Sequence, residues 1–269
     1  MADIKYGHGG DIYRNEVQLD FSVNVNPFGM PDSVREALVR SAENCVHYPD
    51  METSKLRGAL AAQSGLDEDE ILVGNGASAL FMAITQAFRP ENVLIPAPSF
   101  GGYEYAASAA GGQVRYFYCR EEEQFVPDDR IFKMLDGVDM LFIGHPANPT
   151  GKLLPAAFAK RLIGACEERG IITVLDECFI SLCQGGSEAS FLKRIGEYQN
   201  LIVVRAFTKT YAIPGIRLGY LVCQRKLRER IERQLPEWSV SVPAQEAGVA
   251  ALGEDGYPEE SAAGIAALR

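Results

Sequence analysis

The chain has 269 residues, 47% of them hydrophobic, which is long and apolar enough to bury one substantial core and unlike a disordered chain. Its formal charge of -10 leaves no broad basic surface for nucleic acid or anionic membranes, so positive charge must act locally, inside a site. The six cysteines, Cys45, Cys119, Cys166, Cys178, Cys183 and Cys223, form no Cys-x-x-Cys pair and no His/Cys cluster, which argues against zinc and thioredoxin-like redox chemistry.

The opening MADIKYGHGGD has no apolar run behind a basic start, and no uncharged apolar stretch of about 18 residues follows it, so a cytoplasmic chain without a membrane partner is expected. Positions 1–31, rich in Gly, Asn and Pro, read as an N-terminal arm. Apolar residues three or four apart then predict helices over 33–44, 54–64, 77–88, 155–169 and 224–234. Short apolar runs between them predict buried strands at 92–96 (NVLIP), 113–118 (QVRYFY), 140–144 (MLFIG), 171–175 (IITVL) and 201–204 (LIVV). Strands alternating with helices, with no repeat and no Gly/Ser-rich linker, point to a doubly wound α/β sheet in one large domain.

Chemistry concentrates in 205–220, RAFTKTYAIPGIRLGY, where hydroxyls, a lysine, a Pro-Gly turn and an arginine follow a strand within one short span. Any single Lys or Arg is more often a solvated loop residue or a salt-bridge partner, so it is the combination that carries weight. Burial or a neighbouring cation makes a lysine amine nucleophilic toward an aldehyde, and Lys209 has Arg217 close by in sequence. Arg217 offers a planar fork to a phosphate, and Thr208 offers a hydroxyl donor. The segment resembles the lysine motif of fold-type I pyridoxal-phosphate (PLP) enzymes, Ser/Thr-Lys followed by Gly-x-Arg-x-Gly.

Further matches appear in the order that family keeps. The stretch GNGASA at 74–79 opens a helix, where free N–H groups and the helix dipole favour a phosphate, although such a turn alone is more often only a turn. The resemblance assigns the cofactor phosphate to Gly76, Ala77 and Ser78. The stretch ANPTG at 147–151 follows the strand MLFIG, and Asn148 fits a hydrogen bond to the ring hydroxyl, while every residue in it also suits a tight turn. Asp176 ends IITVL, where a carboxylate can pair with the pyridine nitrogen and keep the ring an electron sink; its plainer role is a helix N-cap. Phe100, in PAPSFGGYEY, matches the aromatic that stacks on the ring, or else belongs to the core. Tyr48, in HYPD, matches a tyrosine that reaches the partner subunit's cofactor, which implies a homodimer. Phe179 and Ala206 depart from the pattern, standing where many members carry a tyrosine and a hydroxyl residue.

Within the family, GHGGDIYR, LDFSVNVNPFGMP, TKTYAIPGIRLGYLV and PEWSVSVPAQEAG resemble the threonine-phosphate decarboxylases of cobalamin biosynthesis, with histidinol-phosphate aminotransferases close behind. The resemblance implies PLP as cofactor, Lys209 as catalytic residue, and a phosphorylated amino acid as substrate, with decarboxylation or transamination set by which bond at Cα breaks. His8, Gly9 and Asn26 match positions near the family's substrate site. The implied fold is α/β, a three-layer α/β/α large domain with a mostly parallel doubly wound sheet at 32–235, then at 236–269 the start of a small C-terminal domain that is absent or truncated. Two other readings stand beside it. One is a PLP-binding remnant without turnover; the other is a Rossmann-like nucleotide binder using GNGAS, which needs a preceding strand and a spaced ribose-binding acid that the sequence does not display.

Overall fold

The structure is a computed structural model and describes residues 9–269. Its centre is one sheet of seven strands: β1 (Ile71–Gly74), β2 (Asn92–Ala97), β3 (Gln113–Tyr118), β4 (Met140–Gly144), β5 (Ile172–Asp176), β6 (Leu201–Ala206) and β7 (Gly219–Cys223). Across the sheet they run β1-β7-β6-β5-β4-β2-β3. Strand β7 is antiparallel to both β1 and β6, and the other pairs are parallel.

The helices are α1 (Asp32–Ser41), α2 (Ser54–Ser64), α3 (Gly76–Phe88), α4 (Gly102–Ala109), α5 (Ala156–Glu168), α6 (Gly186–Ala189), α7 (Phe207–Thr210), α8 (Arg225–Glu232), α9 (Val242–Leu252) and α10 (Tyr257–Leu268). Side chains alternate across each strand, so Met140 and Phe142 join a core with Leu80, Phe81 and Ile84 of α3 and Leu227 and Ile231 of α8. Leu141 and Ile143 join a second core with Leu56 and Leu60 of α2, Leu162 and Ile163 of α5 and Ala247 of α9. Both faces of the sheet are therefore covered, which is why its central strands read as unbroken apolar runs. The expected three-layer α/β/α architecture with a mostly parallel sheet is observed.

The five expected strands all form, and β6 runs on through Arg205 and Ala206. Two more strands, β1 and β7, were not expected. The four residues ILVG of β1 are too short to show a period, and GYLVC of β7 is fused to the lysine segment. The existence of β1 corrects one part of the sequence reading, because a strand does precede GNGAS. No acid stands at the end of β2, however, whose last residues are Ile95, Pro96 and Ala97, so the Rossmann reading gains no ribose partner. Helix α9 was also missed. It packs against α1 and α2 through alanines and Gly248, where a Cβ would fall 2.7 Å from Leu218 Cδ2 and 2.9 Å from both Leu56 methyls. Among the described residues, no helix is long and apolar enough to cross a membrane.

Candidate functional site

The ends of β1, β2, β4, β5 and β6 share one edge of the sheet with the start of the reversed β7. Ligand crevices of open α/β sheets form along this edge. A cavity of about 840 Å³ opens there, lined by residues from six separate segments.

Strand β1 turns directly into α3, and the turn leaves the amides of Gly76, Ala77 and Ser78 in the first helical turn, with no side-chain cap among the described residues. Gly76 has a φ of +77°, and a Cβ on it would lie 2.7 Å from Nη2 of Arg217. Arg217 is itself held in the left-handed region, at φ 59°, and its Nη1 donates to the Pro214 carbonyl at 3.0 Å. A guanidinium and a helix N-terminus thus converge on one concavity. The buried hydroxyl residue Thr208 lines the same space. Such a donor set suits a dianion such as a phosphate monoester.

Lys209 lies in the single turn of α7, and its Nζ stands 5.7 Å from the centre of the Phe179 ring. Burial lowers its proton affinity; the Arg217 charge lowers it further, while Cys178 and Asp176 oppose the shift. An amine so placed is neutral, and therefore nucleophilic, over a wider pH range than an exposed lysine. Asp176, at the last position of β5, is buried beside it. Its Oδ2 accepts from the Tyr103 hydroxyl at 2.6 Å and its Oδ1 from the Cys178 amide at 2.9 Å. Burial raises its pKa, and the bonds from Cys178 and Tyr103 pull it back down.

Asn148 and Pro149 enter the cavity from the turn after β4, and Phe100 enters from the turn after β2, its ring edge-on to Tyr103 at 5.6 Å. Below that turn, His145 accepts at Nδ1 from the Leu154 amide at 3.2 Å, which leaves Nε2 to donate to the Ala189 carbonyl at 3.1 Å.

The structure therefore brings together Ala77, Ser78, Phe100, Asn148, Asp176, Thr208, Lys209, Arg217 and Gly9 around one cavity, with the Gly76 backbone at its rim. His8 lies outside the described residues. Tyr48 is 80% exposed and packs on Trp238, with ring centres 4.9 Å apart, outside the cavity. Asn26 is buried elsewhere: its backbone N–H donates to the Lys209 carbonyl at 3.1 Å, and its side-chain amide points to the Thr210 carbonyl, Tyr257 Oη and Ser261 Oγ. From that stretch of the arm it is Ser22, Val23 and Asn24 that line the cavity.

Residues 16–269 match the family described as aminotransferase class I and II. The chain belongs to this family. It is 33% identical to the threonine-phosphate decarboxylase of Salmonella typhimurium over 96% of its own length and 73% of that relative's. The histidinol-phosphate aminotransferase of Clostridium acetobutylicum superposes with a TM-score of 0.84 at 32% identity, covering 91% of this chain and 72% of that one. The L-threonine-O-3-phosphate decarboxylase of Porphyromonas gingivalis superposes with a TM-score of 0.77 at 29% identity, covering 87% and 69%.

Two features of this aminotransferase-family site were not singled out in the sequence. Tyr103 sits two positions before Tyr105 on α4, and only the fold shows that the first points inward and the second outward. Behind the site, the Glu177 side chain is fully enclosed and accepts from Arg205 Nε and Nη2, from Ser190 Oγ and from the Phe191 amide, fixing the backbone that follows Asp176.

Proposed function

We propose that the chain is a PLP-dependent enzyme acting on a phosphorylated amino acid, most closely of the threonine-phosphate decarboxylase type. The observation that carries this reading is the opening of one amine, one carboxylate and one anion cradle, Lys209, Asp176 and Arg217 with the α3 amides, into the same cavity. The residues present fit the group: Gly76 leaves room for the guanidinium that a Cβ would displace, and the donors match a phosphate monoester.

In this reading Arg217, Thr208 and the amides of Gly76, Ala77 and Ser78 hold the phosphate, Asp176 takes the ring nitrogen, Phe100 packs on the ring and Asn148 meets its hydroxyl. The bound group supplies an electron sink for charge that develops at the substrate Cα. Lys209 would be the residue that holds the cofactor aldehyde, and its amine would serve as acid and base at the substrate Cα. For a decarboxylase, Lys209 Nζ returns a proton to Cα after the bond to the carboxylate breaks and CO2 leaves; for an aminotransferase, it carries the proton away from Cα. Phe179 supplies no hydroxyl to the ring, and Ala206 supplies none to the phosphate, so Asn148 and Arg217 carry those contacts.

The active form in this proposal is a cytoplasmic homodimer in which the exposed Tyr48 reaches the partner's site. In the same proposal, 32–235 is the cofactor-binding domain and 236–269 belongs to a smaller one. A second reading, histidinol-phosphate aminotransferase, is favoured by the close superposition on the Clostridium acetobutylicum protein. A third is a cofactor-binding chain without turnover.

Absorbance tests the cofactor: wild type with added PLP gains a visible band in the general range of lysine imines, and Lys209→Ala does not. Incubation with threonine phosphate then separates the reactions. Release of CO2 supports the decarboxylase, a keto acid supports the aminotransferase, neither supports the third reading, and a wild type that stays colourless sinks all three.

A further inference from the structure

We propose that Tyr103 is a positioning residue that fixes the aim and the charge of Asp176, and through it the protonation of the cofactor's ring nitrogen; this rests on the PLP reading above. The geometry is specific. Tyr103 comes from the first turn of α4 and is 1% exposed. Its ring stacks on Phe142 with centres 5.2 Å apart and planes 12° apart, and it meets Phe81 and Phe100 edge-on at 5.3 Å and 5.6 Å. Three aromatic neighbours thus leave the ring little freedom, and the hydroxyl is delivered to Asp176 Oδ2 at 2.6 Å.

A buried carboxylate is costly unless its lone pairs are taken up. Asp176 has one oxygen tied to the Cys178 amide and the other to Tyr103, with the Cys178 thiol as a third donor, so its plane is set from two sides and a carboxylate with about four acceptor sites keeps one to face a ring N–H. Burial pushes the Tyr103 phenol well above its ordinary range, and the charge of Asp176 adds to the shift, so Tyr103 is a protonated donor at neutral pH. Other groups acting on Asp176 are Glu177 behind it, the Cys178 thiol, and Lys209 across the cavity. The Cys178 thiol and amide also donate to Asp176 without a formal charge, but among these groups it is Tyr103 that is clamped by three aromatic rings and delivered to Oδ2. Removing that hydrogen bond raises the basicity of Asp176, which tightens its hold on a ring proton and alters the electron demand felt at the lysine nitrogen.

The test uses the full chain reconstituted with PLP, in two variants. Tyr103→Phe removes the hydroxyl and keeps the aromatic packing; 3-fluorotyrosine placed at 103 keeps the shape and strengthens the donor. Both are expected to show the visible band of wild type, but the midpoint of its pH titration moves by at least ~0.5 unit, in opposite directions for the two. PLP binding by Tyr103→Phe is also expected to weaken by roughly 5- to 30-fold. If Tyr103→Phe fails to fold, the fluorotyrosine variant alone decides through its titration. Bands that titrate with the wild-type midpoint overturn the role of Tyr103 and leave the PLP reading intact. A wild type with no band overturns both.

Discussion

A methyl group at position 76 would lie 2.7 Å from the Arg217 guanidinium, on backbone already at φ +77°. Gly76→Ala is therefore expected to push Arg217 out of the anion cradle and weaken PLP binding by ~10- to 100-fold, the loss of one charge-assisted hydrogen bond, as read by titrating the visible band. His145 sets a different limit. Burial lowers its pKa from the ordinary 6.5, and both ring nitrogens are committed, Nδ1 as acceptor and Nε2 as donor. Below 6.5 the unfolded chain binds the extra proton more readily than the fold does. Stability from this residue is thus complete above that pH and declines as the pH falls through the window beneath it. Urea midpoints measured between about pH 7 and pH 5 should drop for wild type and drop less for His145→Gln.

At the scale of elements, β5 and β6 are joined beyond their backbone bonds by the Glu177–Arg205 pair, 2.9 Å apart, with the carboxylate fully enclosed and the arginine side chain 18% exposed. Glu177→Ala strands a buried positive charge, and about 3–5 kcal/mol of stability should be lost in urea unfolding. The double variant Glu177→Met with Arg205→Met should recover most of that loss, because neither charge then needs a partner. Helix α9 is limited by volume instead. Gly248 already touches Leu218 and Leu56, so Gly248→Val should overpack the contact with α2 and lower stability by roughly 1–3 kcal/mol in the same assay.

These elements also show what a sequence can and cannot display. Four of the expected strands, β2, β4, β5 and β6, were legible because burial on both faces leaves short apolar runs, whereas β3, at the border of the sheet, carries Gln113 and Arg115 among its apolar residues. Lys209, Arg217, Asn148 and Asp176 were legible because each ends or follows such a run and belongs to a recognisable pattern. Helix α9 was hidden because VPAQEAGVAAL packs through alanine and glycine and shows little contrast between its faces. Asn24 and Asn26, two apart in an irregular stretch, carry no signal that tells them apart; only the fold sends one to the cavity and the other beneath Lys209. The inward turn of Tyr103 likewise depends on where α4 sits.

For the whole molecule, the exposed aromatics Tyr48 and Trp238 lie together on the surface, with Val46 and Met51 exposed nearby in sequence. Sedimentation of the purified chain is expected to give twice its 29.4 kDa mass, and the double variant Tyr48→Ser with Trp238→Ser should shift it toward the monomer. The sheet order has a temporal consequence. β1 sits at the border of the sheet, and its neighbour is β7, which starts only at Gly219. A ribosome releases Gly76 long before Gly219, so the first strand must wait, unzipped on both sides, for a distant stretch of chain. Half-made polypeptides lack the arginine that completes the cradle, and capture of an anion is deferred until translation has passed the lysine turn.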